Sequence, residues 1–179
     1  MFKIKNKDIY VYAKMRLDLS GLKKEVIDVL SKKVEKIKHL INFKEYTTSD
    51  KEIFIRIYNR AFLTSPDPFH SITLDDLEDL NLKVFFIKMF GREYGLICIS
   101  IEQNEKNEKI GVITTLAVMP EKQRRGLGSA LALKAYEFLK QNNINIVECE
   151  VGEKNIPSYT FVKFIGFRKY GEEILELDP

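Results

Sequence analysis

The sequence predicts a single α/β domain, and three observations carry that expectation. Stretches rich in β-branched and aromatic residues alternate along the chain with stretches whose apolar residues recur every three or four positions. With 179 residues, of which 45% are apolar, the chain is long enough to bury one core. No internal repeat or low-complexity tract interrupts this order. Runs of about 18 apolar residues, the length a membrane span needs, are absent, and the opening MFKIKNKDIY lacks the apolar region of a signal peptide. A cytoplasmic protein with no membrane partner is therefore expected. Cys98 and Cys149 each fall within an apolar, strand-like run and read as reduced core thiols rather than a disulfide framework.

The elements follow in order. Asp8 to Leu17 reads as a strand, broken at Ser20 and Gly21. From Leu22 to about Leu40, Val26, Leu30, Val34 and Ile37 form the stripe of an amphipathic helix, with lysines on its other faces. Ile41 to Tyr46 is a strand, and Ser49 or Asp50 caps a helix ending near Phe62. The loop LTSPDPFH cannot continue either regular structure, because its two prolines remove donors and restrict their neighbours. Thr73 and Asp76 are spaced as a capping box opening a short helix to about Leu80. Lys83 to Phe90 and Tyr94 to Ile101 form a hairpin around Gly91, and Ile110 to Met119 is the next strand. A helix from Gly128 to about Asn142, a strand from Asn145 to Val151 and a helix from Pro157 to about Ile165 come next. Strands near Phe167 to Tyr170 and Glu173 to Leu177, broken at Gly171, finish the chain.

Charge is unevenly spread. Residues 1–44 hold 12 Lys and Arg against 5 Asp and Glu, while the remainder holds 17 against 21, so the net charge of +3 comes from the front. Two readings of the basic helix stand: a solvated, lysine-rich face, or contact with an acidic partner such as nucleic acid or the ribosome.

The most informative stretch is ITTLAVMPEKQRRGLGSALALKAYEFL, where a strand runs into a basic, glycine-containing turn that opens onto a helix. The first N–H groups of a helix have no internal partners, the helix dipole puts partial positive charge there, and glycines let backbone approach phosphate oxygens. Arg124 and Arg125 add mobile charge. The P-loop pattern is absent, because no Lys-Ser or Lys-Thr follows Gly128, and Leu131 stands where a dinucleotide fingerprint needs Gly or Ala. The pattern that fits is Q/R-x-x-G-x-G/A after a strand ending hydrophobic-Ala-Val-x-Pro, here LAVMPEKQRRGLGSAL.

These residues resemble the acetyl-CoA-binding motif of the GNAT N-acetyltransferases, and the superfamily's order of elements matches roughly Ile41 to Pro179. The resemblance implies a GNAT fold: a mixed, mostly antiparallel sheet of about seven strands, helices on both faces and a splayed parallel strand pair. Residues 1–40 would be a basic strand-helix extension packed on a GNAT domain of residues 41–179. It further implies that the main chain of Leu116, Ala117 and Val118 pairs with the pantetheine arm of acetyl-CoA. The turn Gln123, Arg124, Arg125, Gly126, Leu127, Gly128, Ser129 and Ala130 would hold the pyrophosphate. No metal is implied.

The family's second signature, N-x-x-A-x-x-x-Y-x-x-x-G-F, is met by Asn155, Gly166 and Phe167, which adds Asn155 to the cofactor site. The tyrosine that usually protonates the departing thiolate is replaced by Val162. Tyr159, three residues earlier, either reaches a similar place or packs on the sheet. Glu150 ends the fifth strand of the family order and alternates away from Val147, Cys149 and Val151. Resemblance to N-terminal protein acetyltransferases makes it the expected general base, against the alternative of a solvated strand-end carboxylate. Thr114 and Thr115 are the polar side chains of the preceding strand, and neither is a base. Asp67 and His70 lie in the loop that often lines the family's acceptor site. The expected chemistry is transfer of acetyl from acetyl-CoA to a primary amine, on a peptide α-amine or a small molecule, in a ternary complex. The alternative is an acyl-CoA-binding regulatory module that has lost the chemistry.

Overall fold

The computed structural model describes residues 8–78, 81–104 and 106–177, and the elements below are those of the described residues. In chain order they are β1 (Asp8–Asp18), α1 (Lys24–Glu35), β2 (Ile41–Glu45), α2 (Lys51–Phe62), β3 (Lys83–Met89), β4 (Arg92–Gln103), β5 (Lys109–Val118), α3 (Leu127–Gln141), β6 (Ile146–Gly152), α4 (Ile156–Ile165) and β7 (Arg168–Leu177). The seven strands form one sheet in the order β2-β3-β4-β5-β6-β1-β7. β5 and β6 run parallel, and every other neighbouring pair is antiparallel. The architecture is the α/β GNAT fold.

Strand alternation sorts the core into two layers. On one face Phe85, Ile87, Met89, Ile97 and Ile99 meet Leu127, Leu131 and Ala135 of α3, with Val34 of α1 and Ile37 of the turn that follows it packed beside them. On the other, Val84, Phe86, Leu96 and Cys98 meet Phe54 and Ile57 of α2. α4 joins the first face through Val162, which packs with Tyr159 on Ala13, Met15, Cys149 and Val151. α2 covers β4 and β5 but not the far end of the sheet. There β6, β1 and β7 present a polar surface, on which Arg16 pairs with Glu148 at 2.6 Å and Lys14 with Glu173 at 3.1 Å.

Three expectations change. The first strand of the chain occupies an interior slot, between β6 and β7, and its Ala13 and Met15 are fully buried. The last two expected strands are one, because Gly171 pairs with Lys14 and the ladder absorbs Tyr170 as a bulge instead of breaking. Only half of the expected capping box forms: the Asp76 carboxylate accepts the Thr73 N–H at 2.7 Å and its hydroxyl at 2.9 Å, no side chain caps the turn, and the segment closes only one 3-10 turn, Asp75–Leu77. The rest of that expected helix, residues 79–80, lies outside the described residues.

Candidate active site

The site begins where two parallel strands part. β5 and β6 pair from Ile110 with Ile146 to Ile113 with Cys149, and no further. At that point Thr114 has no partner in β4, whose Cys98 pairs with Thr115 and Ile99 with Ile113. This bulge bends β5 away, since an extra residue on one strand kinks it. β4 still pairs with β5 as far as Val118, and β1 still pairs with β6 as far as Gly152. The gap therefore turns the inner backbone groups of Leu116 and Val118 toward the cleft without unravelling the sheet, while Ala117, in step with Met119, directs its own toward β4.

Past β5, Arg124 and Gly126 take left-handed backbone angles, φ 58° and 89°, and Gly126 is the N-cap of α3. The Gln123 N–H is bonded to the Pro120 carbonyl and the Ala130 N–H to that of Gly126. The amides between them are the ones the turn offers to a ligand. Leu127 and Ala130 turn their side chains into the core, whereas Gln123 uses its side-chain amide to hold the Val118 carbonyl at 3.0 Å. A Cβ on Gly128 would meet only Leu116, at 4.0 Å, so the space over the helix start is open. Arg124, Arg125, Gly126, Gly128 and Ser129 line a cavity of about 800 Å³ with Leu116, Ala117 and Val118. An anionic group followed by an extended arm fits this arrangement. Gly126→Val combined with Gly128→Val is expected to abolish acetyl-CoA binding, because the first forces a β-branched residue to positive φ and the second fills the open space. Titration calorimetry on the folded variant checks it; unchanged affinity would exclude the turn as the anion site.

A second cavity of about 400 Å³ adjoins the first and is lined by Glu150, Thr115, Tyr12 and Tyr58, with Asn155, Ser158 and Phe161 shared by both. Glu150 lies on the face away from Cys149, with 52% of its side chain exposed and the Lys14 ammonium 3.8 Å away. Burial, then the Asp67 charge, holds the Tyr12 phenol above its ordinary pKa, and burial does the same for Tyr58. Burial pushes both cysteine thiols up to about 12, reinforced at Cys149 by Glu150 and Glu148. Protonated thiols are poor nucleophiles, so a covalent acyl-cysteine is not what this cleft is built for.

Other sequence-derived candidates are placed differently. Tyr159 packs on Ala13, Met15, Cys149 and Val151 and lines neither cavity, while Val162 does face the cleft. Asn155 accepts the Ser158 N–H at 3.3 Å to cap α4, and its side-chain N–H donates to Asp67 at 2.8 Å and Ser65 at 3.2 Å. Its polar atoms thus tie the proline loop to the end of β6. Asp67 presses so closely on Gly152 that a Cβ there would collide with its carboxylate. His70 is exposed, with Nδ1 3.2 Å from its neighbour's carbonyl. Sequence reasoning missed Tyr12, Tyr58 and the lysines Lys33 and Lys36 of α1, which line the larger cavity. Tyr58 carried a signal, since Phe54, Tyr58 and Phe62 recur at four-residue spacing and stack along α2. Tyr12 carried none.

Residues 51–167 match the family model described as Acetyltransferase (GNAT) family. The chain belongs to this family. A mycothiol acetyltransferase of Thermomonospora curvata is 25% identical to this GNAT protein over 137 residues, 73% of this chain and 44% of that one. An uncharacterized N-acetyltransferase of Methanocaldococcus jannaschii is 34% identical over 88 residues, 48% of this chain and 38% of that one. The chain thus spans less than half the length of these curated relatives. An aminoglycoside N-acetyltransferase solved in complex with CoA shares the fold at a TM-score of 0.59 and 16% identity, over 73% of this chain and 90% of that one. None of these likenesses supports a nucleic-acid or ribosome contact. No helix among the described residues is long and apolar enough to cross a membrane.

Proposed function

We propose that this GNAT protein is an N-acetyltransferase that binds acetyl-CoA in the cleft between β5 and β6 and transfers the acetyl group to a primary amine. The observation that carries the reading is the splayed strand pair itself. It leaves a free strand edge leading from an anion-accepting helix start to a cavity that holds a carboxylate. The strand edge suits the amides of a pantetheine arm, and the turn amides suit its pyrophosphate. The family match and the CoA held by a structural relative support this choice of ligand.

The residues suggest direct transfer. Glu150, acting directly or through water, takes a proton from the ammonium form of the acceptor. The freed lone pair attacks the thioester carbonyl carbon, and backbone N–H groups near Val118 stabilise the oxyanion. The nitrogen gives up its second proton to water, and the C–S bond breaks with both electrons going to sulfur. Tyr12 and Tyr58 keep their protons at neutral pH and line the same cavity, so they can protonate the thiolate in place of the tyrosine that Val162 replaces. The acceptor is a small-molecule amine or a peptide α-amine. Val162 favours a second reading, a regulatory module that binds acyl-CoA without turning it over. CoA release measured with acetyl-CoA across a panel of amines and peptides decides: acceptor-dependent release is expected. Tight acetyl-CoA binding with no release on any acceptor would favour the regulatory module.

A further inference from the structure

α1 lies across the start of α3. A Cβ placed on Gly126 would come within 3.2 Å of Ile37 Cδ1 and 3.6 Å of the Lys33 carbonyl, so the two elements are packed together. Lys33 and Lys36, three residues apart and hence on neighbouring positions of one helix face, are thereby brought to the rim of the larger cavity. Arg124 and Arg125 line the same cavity from the turn. Several basic side chains elsewhere find carboxylates, among them Lys14, Arg16, Lys44, Lys83, Lys134 and Lys169. Around this rim none of the four cations has an ion-pair partner among the described residues, and Lys33 Nζ rests 5.5 Å from the ring centroid of Phe164 on α4. Four positive groups held around one cavity repel one another until an anion joins them.

The turn amides account for one anion and leave the lysines for a second. We infer that Lys33 and Lys36 bind the ribose 3′-phosphate of CoA, so that the basic front helix is part of the cofactor site. This rests on the acetyl-CoA reading above. The ligand chemistry fits, because the pyrophosphate carries one charge on each phosphorus, whereas a phosphate monoester carries nearly two at neutral pH and matches a pair of ammonium groups.

The test compares CoA with 3′-dephospho-CoA by calorimetry, on the wild-type full chain and on the double variant Lys33→Gln, Lys36→Gln, which keeps most of each side chain's stem. Wild type is expected to prefer CoA by about tenfold or more. The double variant should lose that preference while binding dephospho-CoA as wild type does, and Lys32→Gln, on the same helix but away from the cavity, should change nothing. Unchanged CoA affinity in the double variant would overturn the inference. An equal loss for both ligands would overturn it too, by moving the lysines to the pyrophosphate. Failure of wild type to bind either ligand would instead remove the acetyl-CoA reading on which the inference stands.

Discussion

Glu150→Gln is expected to lower turnover by roughly 100-fold to 10,000-fold while leaving acetyl-CoA affinity unchanged. The carboxylate stands on the last stretch of β6, past that strand's pairing with β5 and opposite Lys14 of β1, and lines the smaller cavity. Half of its side chain stays in contact with solvent, and its nearest cation, Lys14, is more firmly engaged by Glu173. A carboxylate so placed is within reach of an acceptor amine in the cleft and is the group there suited to take its proton. Glutamine keeps the shape and removes the acceptor, so binding survives and rate does not. Raising the pH should shrink the deficit, because more of the amine then arrives already deprotonated. A deficit that persisted at high pH would assign Glu150 to positioning, and wild-type turnover in the variant with a true acceptor would remove it from the mechanism.

A chain lacking residues 1–22 is expected not to fold. β1 is the antiparallel partner of β6 on one side and of β7 on the other, so its loss bares an edge of β6 and leaves β7 without a neighbour in the sheet. It also uncovers Cys149 and Val151 and the face of α4 that packs on them. A single change tests the same point: Met15→Asp puts an unpaired carboxylate where no solvent reaches, at a cost of several kcal/mol, comparable with a domain's total stability of about 5–15 kcal/mol. Urea denaturation followed by circular dichroism, with amide NMR dispersion as a second probe, checks both proteins. Cooperative unfolding of the shortened chain near the wild-type midpoint would show that the strand is dispensable.

Much of this was legible from local pattern. Period-two alternation located β3 to β6 to within a residue or two, and the spacing of Val26, Leu30, Val34 and Ile37 found the inward side of α1 and the turn after it, with Leu30 buried and Val34 and Ile37 partly so. The geometry of the glycine turn was legible because it is local: a strand end, a left-handed glycine and a helix start adjoin in sequence. What could not be read depends on distant partners. Nothing in DIYVYAKMRL says that its neighbours are residues 146–152 and 168–177, since alternation fixes which side chains face in and not which strand lies alongside. Asn155 looked free for a ligand because Ser65 and Asp67, which occupy it, are 90 and 88 residues away. Tyr159 and Val162 share a helix side, and only packing against Met15 and Cys149 decides which of them meets the cleft. The lysines of α1 looked alike until the helix was docked against Gly126, which separates Lys33 and Lys36 from the rest.

The interior slot of β1 also orders events during synthesis. The meander β3-β4-β5 closes over short turns and can assemble as soon as it emerges, because nearby contacts cost little loop entropy. β1 leaves the ribosome long before either of its neighbours exists: Arg16 bonds to Glu148, 132 residues later. At typical elongation rates of roughly 5–20 residues per second, that strand waits on the order of ten seconds with its edges and its buried face unprotected. Among the described strands β1 is made before the others, yet it can be seated only once β6 exists, and β7, whose neighbour in the described sheet is β1, only after that.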